Sequence, residues 1–192
     1  MKKDIFLDNR IFSTTIFDKK IDIDFILEQF HNNSEHYTHT HFINNRWENI
    51  YLDPQKIPSV LPLLSKILSK AIDNYRTQIK PHQTLVIPHE LLGYEKNEFW
   101  FNLALPGEST AVHNHNGKAV ISGVYYLQVT EKCGNVVFIN EKKEKMEVPA
   151  KCGQLLFFPP DLDHYVQENK GTDKRISLSF NCYLFPLIAP TN

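Results

Sequence analysis

The chain has 192 residues, of which 42% are hydrophobic and 22% are charged, a composition typical of one globular domain rather than of a disordered chain. Its 21 Lys and Arg residues against 22 Asp and Glu residues leave a formal net charge of −1, which excludes the overall basic excess of proteins that bind nucleic acids. The sequence has no apolar run of membrane length and no recognisable signal peptide, and its three cysteines are too widely spaced for a disulfide framework, so we expect a cytoplasmic protein without membrane or nucleic-acid partners.

The first half of the chain, residues 1–97, is predicted to be helical or mixed and to support the second half. A short helix is expected over residues 24–30, with Asp24 as its N-cap. The clearest helix covers residues 57–80, where apolar residues recur at spacings of three and four until Pro81 stops the helix. Its single apolar face predicts that it packs against a sheet.

The second half, residues 98–186, consists of short strand-like runs separated by turn signals such as Asn116-Gly117. Many short strands at this spacing indicate a sandwich or a barrel, with the helices of the first half on one outer face. We therefore predict a mainly β fold with flanking helices (α+β), in a single domain of residues 1–192. The eight predicted strands cover residues 99–105, 110–113, 119–129, 135–139, 145–148, 154–158, 164–167 and 175–184.

Three histidines are candidate metal ligands. His113 and His115 occupy positions i and i+2 of a predicted strand, so their side chains point to one face about 6–7 Å apart along the chain and can converge on one ion. His164 follows an apolar strand and a turn, and several antiparallel strands can return it to the pair. Taken singly, such a pair is more often two solvated histidines, and His164 is as often a loop residue as a ligand.

The last predicted strand carries a polar face that contains Arg175 and Ser177. Such a face usually meets water, but in a barrel it would line the interior. Arginine suits a carboxylate because its guanidinium group can bind both oxygens, and the Ser177 hydroxyl adds a donor on the same face. This strand is therefore a candidate site for an acidic ligand.

The order and spacing of these residues resemble the double-stranded β-helix oxygenases that depend on Fe(II) and 2-oxoglutarate, and specifically a 2OG-Fe(II) oxygenase family with H-x-H at the metal. The resemblance covers residues 100–183, almost half of the chain, and implies a jelly-roll or cupin-like barrel over residues 98–186. Five segments carry it: Trp100-Phe101-Asn102, His113-Asn114-His115-Asn116, residues 122–127, residues 153–159 with His164, and residues 175–181.

The resemblance also implies roles for single residues. His113 and His164 match the two metal-binding histidines of the superfamily, and Arg175 and Ser177 match the pair that binds the distal carboxylate of 2-oxoglutarate. Two further residues, Asn102 and the weaker candidate Tyr126, match positions that contact this cosubstrate, although a core role explains Tyr126 equally well. The implied reaction consumes O2 and 2-oxoglutarate, releases succinate and CO2, and hydroxylates a substrate.

His115 departs from the wider superfamily, which has Asp or Glu at this position. A three-histidine site leaves three octahedral positions open, and Fe(II) with dianionic 2-oxoglutarate is then neutral rather than −1. A turn carboxylate from Asp161 or Asp163 is an alternative third ligand, which ranks below His115 because turn acids more often form the turn itself.

Two other functions stay open at this point. The first is a three-histidine cupin dioxygenase that does not use 2-oxoglutarate, although the glutamate expected after its second histidine is replaced by Ala119 and Val120. The second is a barrel without catalysis that binds a small ligand or a partner protein. The expected substrate is an unidentified small molecule or peptide, and exposed barrel edges are compatible with a homodimer.

Residues outside the motif are predicted to be structural. The cluster His36, His39 and His41 is expected to form a polar surface loop, because it lacks the carboxylate or cysteine spacing of a closed metal site. Trp47 and Trp100 are expected to pack in the core rather than stack on a substrate.

Overall fold

The computed structural model describes residues 4–6, 10–16, 18–43, 46–92, 96–117 and 119–186. The described residues form thirteen strands and two α-helices. The strands are β1 (Asp4–Phe6), β2 (Ile11–Thr15), β3 (Thr38–Ile43), β4 (Arg46–Tyr51), β5 (Thr84–Val86), β6 (Phe99–Ala104), β7 (Thr110–His113), β8 (Ile121–Gln128), β9 (Val136–Ile139), β10 (Lys145–Val148), β11 (Gln154–Phe158), β12 (Asp163–Val166) and β13 (Arg175–Phe185), and the helices are α1 (Ile23–Asn32) and α2 (Val60–Tyr75).

Strands β6 to β13 form a double-stranded β-helix of two antiparallel layers. One layer has the order β11-β8-β13-β6 and belongs to the larger sheet, and the other is the separate four-stranded sheet β10-β9-β12-β7. Consecutive strands alternate between the layers except for β9 and β10, which form a hairpin within the smaller sheet, and this is the connectivity of a jelly roll. All eight strands predicted from the sequence are present, and the predicted fold class is confirmed.

The larger sheet continues beyond the barrel with strands from the first half of the chain. Strands β1 and β2 extend it next to β11, strands β4 and β3 extend it next to β6, and β5 pairs with β13. This half was predicted to be helical or mixed, but helices were the only elements predicted at definite positions in it. These strands were missed because they have three to six residues each and join the sheet by pairing with distant parts of the chain.

Both predicted helices are present, with corrected ends. Helix α1 begins at Ile23, and its N-cap is Asp22 rather than Asp24, because the Asp22 carboxylate accepts a hydrogen bond from the Phe25 N–H at 3.0 Å. Helix α2 is shorter at both ends than predicted and covers Val60–Tyr75.

The helices cover the outer face of the larger sheet, as predicted. One apolar cluster contains residues of both helices, such as Phe30 and Ile67, together with Phe101 and Phe157 of the sheet. The rings of Phe30 and Phe101 lie 4.6 Å apart between their centroids. A second, smaller cluster contains residues of both layers and includes Phe138. Among the described residues, no helix is long and apolar enough to cross a membrane.

Gly123 of β8 lies at a place of close packing in the barrel. A Cβ atom at this position would lie 2.2 Å from Cζ of Phe180 and 2.6 Å from the carbonyl oxygen of Leu156. Both neighbouring strands, β13 and β11, therefore approach β8 closely because this residue has no side chain. The glycine lets the larger sheet close one wall of the cavity described next.

Candidate metal site and cavity

His113, His115 and His164 come together between the two layers. One nitrogen of each ring lies within 4.8 Å of the other two, and the ring centroids are 4.3 to 5.2 Å apart. His113 and His164 are directly opposite each other on the paired strands β7 and β12. His115 follows β7, and its backbone N–H donates to the Pro160 carbonyl at 2.7 Å.

Backbone contacts orient two of these rings for metal binding. Nδ1 of His113 lies 2.9 Å from the Ala111 carbonyl oxygen, and Nδ1 of His164 lies 2.9 Å from that of Leu162. A carbonyl oxygen only accepts, so each Nδ1 carries the proton and each Nε2 keeps a free lone pair. Metal binding through Nε2 requires this tautomer, and a hydrogen bond from the second nitrogen is usual for a metal-binding histidine.

The environment keeps two histidines of the cluster neutral. Burial, and then the neighbouring His113 and His115, lowers the pKa of His164 to about 3. Burial, and then His113 and His41, lowers the pKa of His115 to about 4. Only 5% of His164 is exposed. At neutral pH, protons therefore do not compete with a metal ion for these two rings.

The turn carboxylates do not join the cluster. Among the described residues, the group that could hold a metal ion consists of the three histidines alone. Asp163 instead accepts a hydrogen bond from the Asn114 amide at 2.9 Å, and Asp161 is exposed. The structure therefore favours His115 over Asp161 and Asp163 as the third ligand.

The four residues predicted to contact 2-oxoglutarate lie on the larger sheet, across the cavity from the histidines. In the strand register, Ser177 of β13 lies between Asn102 of β6 and Tyr126 of β8, so these three form one row across the sheet. Arg175 lies two residues before Ser177 on the same face. All four line the cavity together with His113, His115 and His164.

Arg175 is held rigidly at the closed end of this row. Only 2% of it is exposed, and its Nη1 donates to the carbonyl oxygens of Cys133 at 2.8 Å and Gly134 at 3.1 Å. Gly134 has φ +84°, and a Cβ there would lie 2.1 Å from the Gln167 carbonyl oxygen, so the supporting turn requires glycine. Within the described part of the chain, Nη2 and Nε remain for a ligand.

Asn102 is already occupied by protein contacts. Its Nδ2 donates to the Glu48 carbonyl oxygen at 2.6 Å and to Oδ1 of Asn49 at 3.1 Å, and its Oδ1 accepts from the Ser179 hydroxyl at 2.7 Å. Asn49 in turn donates to Nδ1 of His41 at 3.1 Å. Asn102 therefore joins β13, β6, β4 and β3, and a bond from its amide to a cosubstrate would require one of these bonds to open.

Tyr126 is buried beside Arg175. Burial raises the pKa of its hydroxyl, and the Arg175 charge opposes that rise. The hydroxyl therefore stays protonated and able to donate at neutral pH. Tyr126 also belongs to the smaller apolar cluster, so the core role and the cavity role considered from the sequence coexist in one side chain.

The cavity has a volume of about 300 Å³, and several of its lining residues were not predicted. His41, Glu48, Asn49 and Tyr51 come from β3 and β4, and Glu98 directly precedes β6. The first four could not be placed from the sequence because β4 reaches the site by pairing with β6, more than fifty residues away.

The predictions for the accessory histidines and tryptophans are partly wrong. Residues 38–43 form strand β3 rather than a loop, and His41, at φ +61°, lines the cavity. Trp100 is buried as predicted, but it also lines the cavity, with its ring 5.6 Å from that of His115. Trp47 is 46% exposed and does not pack in the core.

Comparison with known proteins agrees with this geometry. A family model described as "Putative 2OG-Fe(II) oxygenase" matches residues 98–148 and 139–181, which contain all of the predicted metal and cosubstrate residues. This match confirms the resemblance drawn from the sequence. No curated protein matches the chain in sequence.

Solved structures share the fold at low sequence identity. A prolyl-4-hydroxylase from Pseudomonas putida is 16% identical, with a TM-score of 0.65 over 91% of this chain and 92% of that chain. A prolyl hydroxylase from Trichoplax adhaerens, in complex with a hypoxia inducible factor peptide fragment, is 12% identical, with a TM-score of 0.64 over 92% and 84%. SnoK, a non-heme alpha-ketoglutarate-dependent carbocyclase from nogalamycin biosynthesis, is 11% identical, with a TM-score of 0.67 over 90% and 78%.

Proposed function

Because residues 98–181 match the 2OG-Fe(II) oxygenase family, we propose that this protein is an Fe(II)- and 2-oxoglutarate-dependent oxygenase that hydroxylates a small molecule or peptide and releases succinate and CO2. One observation carries the proposal. The three-histidine cluster and the row of Arg175, Ser177 and Tyr126 face each other across a single cavity.

The donor set suits Fe(II). His113, His115 and His164 would hold the ion through one nitrogen each, and the lowered pKa values of His115 and His164 leave the lone pairs of these two rings available at pH 7. When bound, Fe(II) supplies the oxygen-activating chemistry that couples decarboxylation of 2-oxoglutarate to substrate oxidation. The chain's own contribution is to orient the three rings and to exclude water from the closed end of the cavity.

The larger sheet would hold the cosubstrate. Arg175 offers a buried, fixed guanidinium for the distal carboxylate, and the hydroxyls of Ser177 and Tyr126 add donors in the neighbouring register positions. Asn102 is better placed to fix Ser179 and Asn49 than to donate to the cosubstrate, because its amide hydrogens already have acceptors.

The two alternative functions explain less of the cavity. A three-histidine dioxygenase without 2-oxoglutarate gives Arg175 no ligand, yet this buried cation lines the cavity opposite the histidines. A metal-free barrel without catalysis leaves unexplained why two histidine rings are held in the tautomer that binds a metal through Nε2. The family match supports the oxygenase over both.

An anaerobic titration tests the proposal. Protein loaded with Fe(II) is titrated with 2-oxoglutarate while the visible metal-to-ligand charge-transfer band is followed, with the His164→Ala variant as control. A band in the wild type that is absent in the variant supports the oxygenase. Bound iron without a band would favour the dioxygenase that does not use 2-oxoglutarate, and failure to bind iron would favour the ligand-binding barrel.

A further inference from the structure

The open part of the cavity is acidic once the cosubstrate residues are set aside. Apart from histidines, the charged residues that line it within the described ranges are Glu48, Glu98 and Arg175. Under the proposed function, Arg175 is committed to the distal carboxylate of 2-oxoglutarate. The charged groups that remain for a substrate are therefore two carboxylates.

Glu98 is a fixed carboxylate that forms no ion pair with another described residue. Its Oε2 accepts from the Asn181 amide at 3.1 Å, and the Asn181 amide oxygen in turn accepts from the Ser122 hydroxyl at 2.7 Å. The Tyr183 side chain also hydrogen-bonds Glu98. These partners are neutral, and no Lys, Arg or His of the described residues forms an ion pair with Glu98. Its negative charge is therefore held in place but not neutralised.

Glu48 is a second carboxylate of the cavity, and one of its oxygens lacks a hydrogen-bond donor among the described residues. It lines the same cavity, it is 6% exposed, and its Oε1 accepts no hydrogen bond within the described part of the chain. The nearest cation is Nη2 of Arg46 at 3.9 Å, and Arg46 makes its closer ion pair, at 3.1 Å, with Glu108. A buried carboxylate oxygen without a donor is costly, so a donor from a ligand would stabilise it.

Aromatic rings connect Glu98 to the metal site. Glu98 directly precedes β6, and Trp100 and Asn102 are alternate residues within this strand. All three line the cavity. The ring of Trp100 lies 5.6 Å from that of His115 and 6.1 Å from that of Tyr51. Indole and phenol faces attract cations, and they do so more strongly where water is excluded.

From these contacts we propose that the substrate carries an ammonium or guanidinium group, which Glu98 binds against Trp100 and Tyr51, with Glu48 as the second acidic group of the pocket. This proposal rests on the proposed function, because it assigns Arg175 to the cosubstrate. A free amine and a lysine or arginine side chain of a peptide share this chemistry. An anionic substrate would be repelled by both carboxylates.

Matched probes test the charge requirement in the wild-type protein. The anaerobic complex with Fe(II) and 2-oxoglutarate is titrated with lysine, arginine and putrescine, with norleucine as the neutral control and adipate as the anionic control. The α-amino and α-carboxyl groups of the three amino acids are capped, so that norleucine carries no ammonium group. Perturbation of the charge-transfer band reports binding without turnover. We expect the cations to bind at least about 10-fold more tightly than norleucine. Putrescine and lysine-containing peptides distinguish a free amine from a side chain.

A variant then locates the binding group. Glu98→Gln keeps the shape of the side chain but removes its charge, and it should reduce the preference for cations over norleucine by about 10-fold. Glu141→Gln, which alters an exposed glutamate in the turn between β9 and β10, is the matched control and should keep the preference.

The outcomes separate the two proposals. Absence of the band in the wild type would refute the proposed function. A band whose response is the same for cations and norleucine, or that responds to none of the probes, would overturn the cationic substrate alone. If Glu98→Gln does not fold, the wild-type comparison of lysine with norleucine still decides the question.

Discussion

At the scale of single residues, the site depends on side chains whose protonation and direction are set by the backbone. Carbonyl groups two residues before His113 and His164 hold the Nδ1 protons, and the carbonyls of Cys133 and Gly134 hold Arg175. The rings and the guanidinium therefore point into the cavity before any ligand arrives, which reduces the ordering cost of binding.

Removing the Arg175 side chain is expected to weaken cosubstrate binding and to leave metal binding unchanged. Arg175→Ala should weaken 2-oxoglutarate binding by about 100-fold, because losing one partner of a buried hydrogen-bonded charge pair costs about 2–5 kcal/mol. Iron stoichiometry should stay unchanged, since the histidines lie on the other sheet. The charge-transfer titration measures the first quantity and a metal assay the second. Unchanged cosubstrate affinity would show that Arg175 does not bind the carboxylate.

The metal-free protein is expected to lose stability as the pH falls from about 6.5 towards 4. The ordinary pKa of histidine is 6.5, whereas burial lowers the pKa of His115 to about 4 and that of His164 to about 3. Between these values the unfolded chain binds protons that the folded chain does not, so the free energy of unfolding decreases. Above about pH 7 both states are neutral at these residues, and their contribution is constant.

Urea denaturation of chelator-treated protein near pH 7 and pH 5 measures this dependence. His164→Gln serves as the control, because it removes one of the two depressed pKa values and should make the decline shallower. A decline that is equally steep in the variant would assign the pH dependence to other groups.

At the scale of elements, the barrel strands and the two helices could be predicted because their signals are local. Alternating apolar residues and turn residues mark β6 to β13, and a spacing of three and four marks α2. Strands β3 and β4 carry no comparable signal, and their polar sequence is typical of a loop. Their position depends on the long-range pairing of Ile50 with Phe101, which no short window of sequence contains.

The corrected start of α1 gives a sharp test at this scale. Asp22→Ala should lower the free energy of unfolding by about 1 kcal/mol, because the Phe25 N–H loses its acceptor at the helix end. Asp24→Ala should cost only a few tenths of a kcal/mol, from the lost interaction of its charge with the helix dipole. Thermal or chemical denaturation of both variants compares them. Equal losses would contradict the assignment of Asp22 as the N-cap.

At the scale of the whole molecule, the parts of the site with local sequence signals could be predicted, and the parts that depend on long-range pairing could not. The residues proposed to bind the metal and the cosubstrate lie in segments with recognisable spacing, and the structure places them around one cavity. The residues proposed to bind the substrate lie partly on β4, outside the matched region. Glu98 lies inside that region, but its role as a candidate substrate-binding carboxylate could be inferred only from the structure, in which Tyr51 and Asn181 line the cavity with it.

We expect the helices and the barrel to unfold together. Phe30 of α1 is fully buried against Phe101, so Phe30→Ala should lower the free energy of unfolding by about 3–5 kcal/mol. Because one apolar cluster spans both halves, circular dichroism of the helices and tryptophan fluorescence should report a single shared transition. Two separated transitions would mean that residues 1–97 and 98–186 fold as independent units.

The contacts of Arg46 have a practical consequence for any attempt to shorten this protein. Its guanidinium group crosses from β4 to the start of the barrel, where it donates to the Leu103 carbonyl, the Glu108 carboxylate and the Thr110 hydroxyl. A fragment that begins at residue 98 would remove the donor that these three acceptors share. The family match begins at residue 98, but we therefore do not expect the protein to tolerate truncation at this residue.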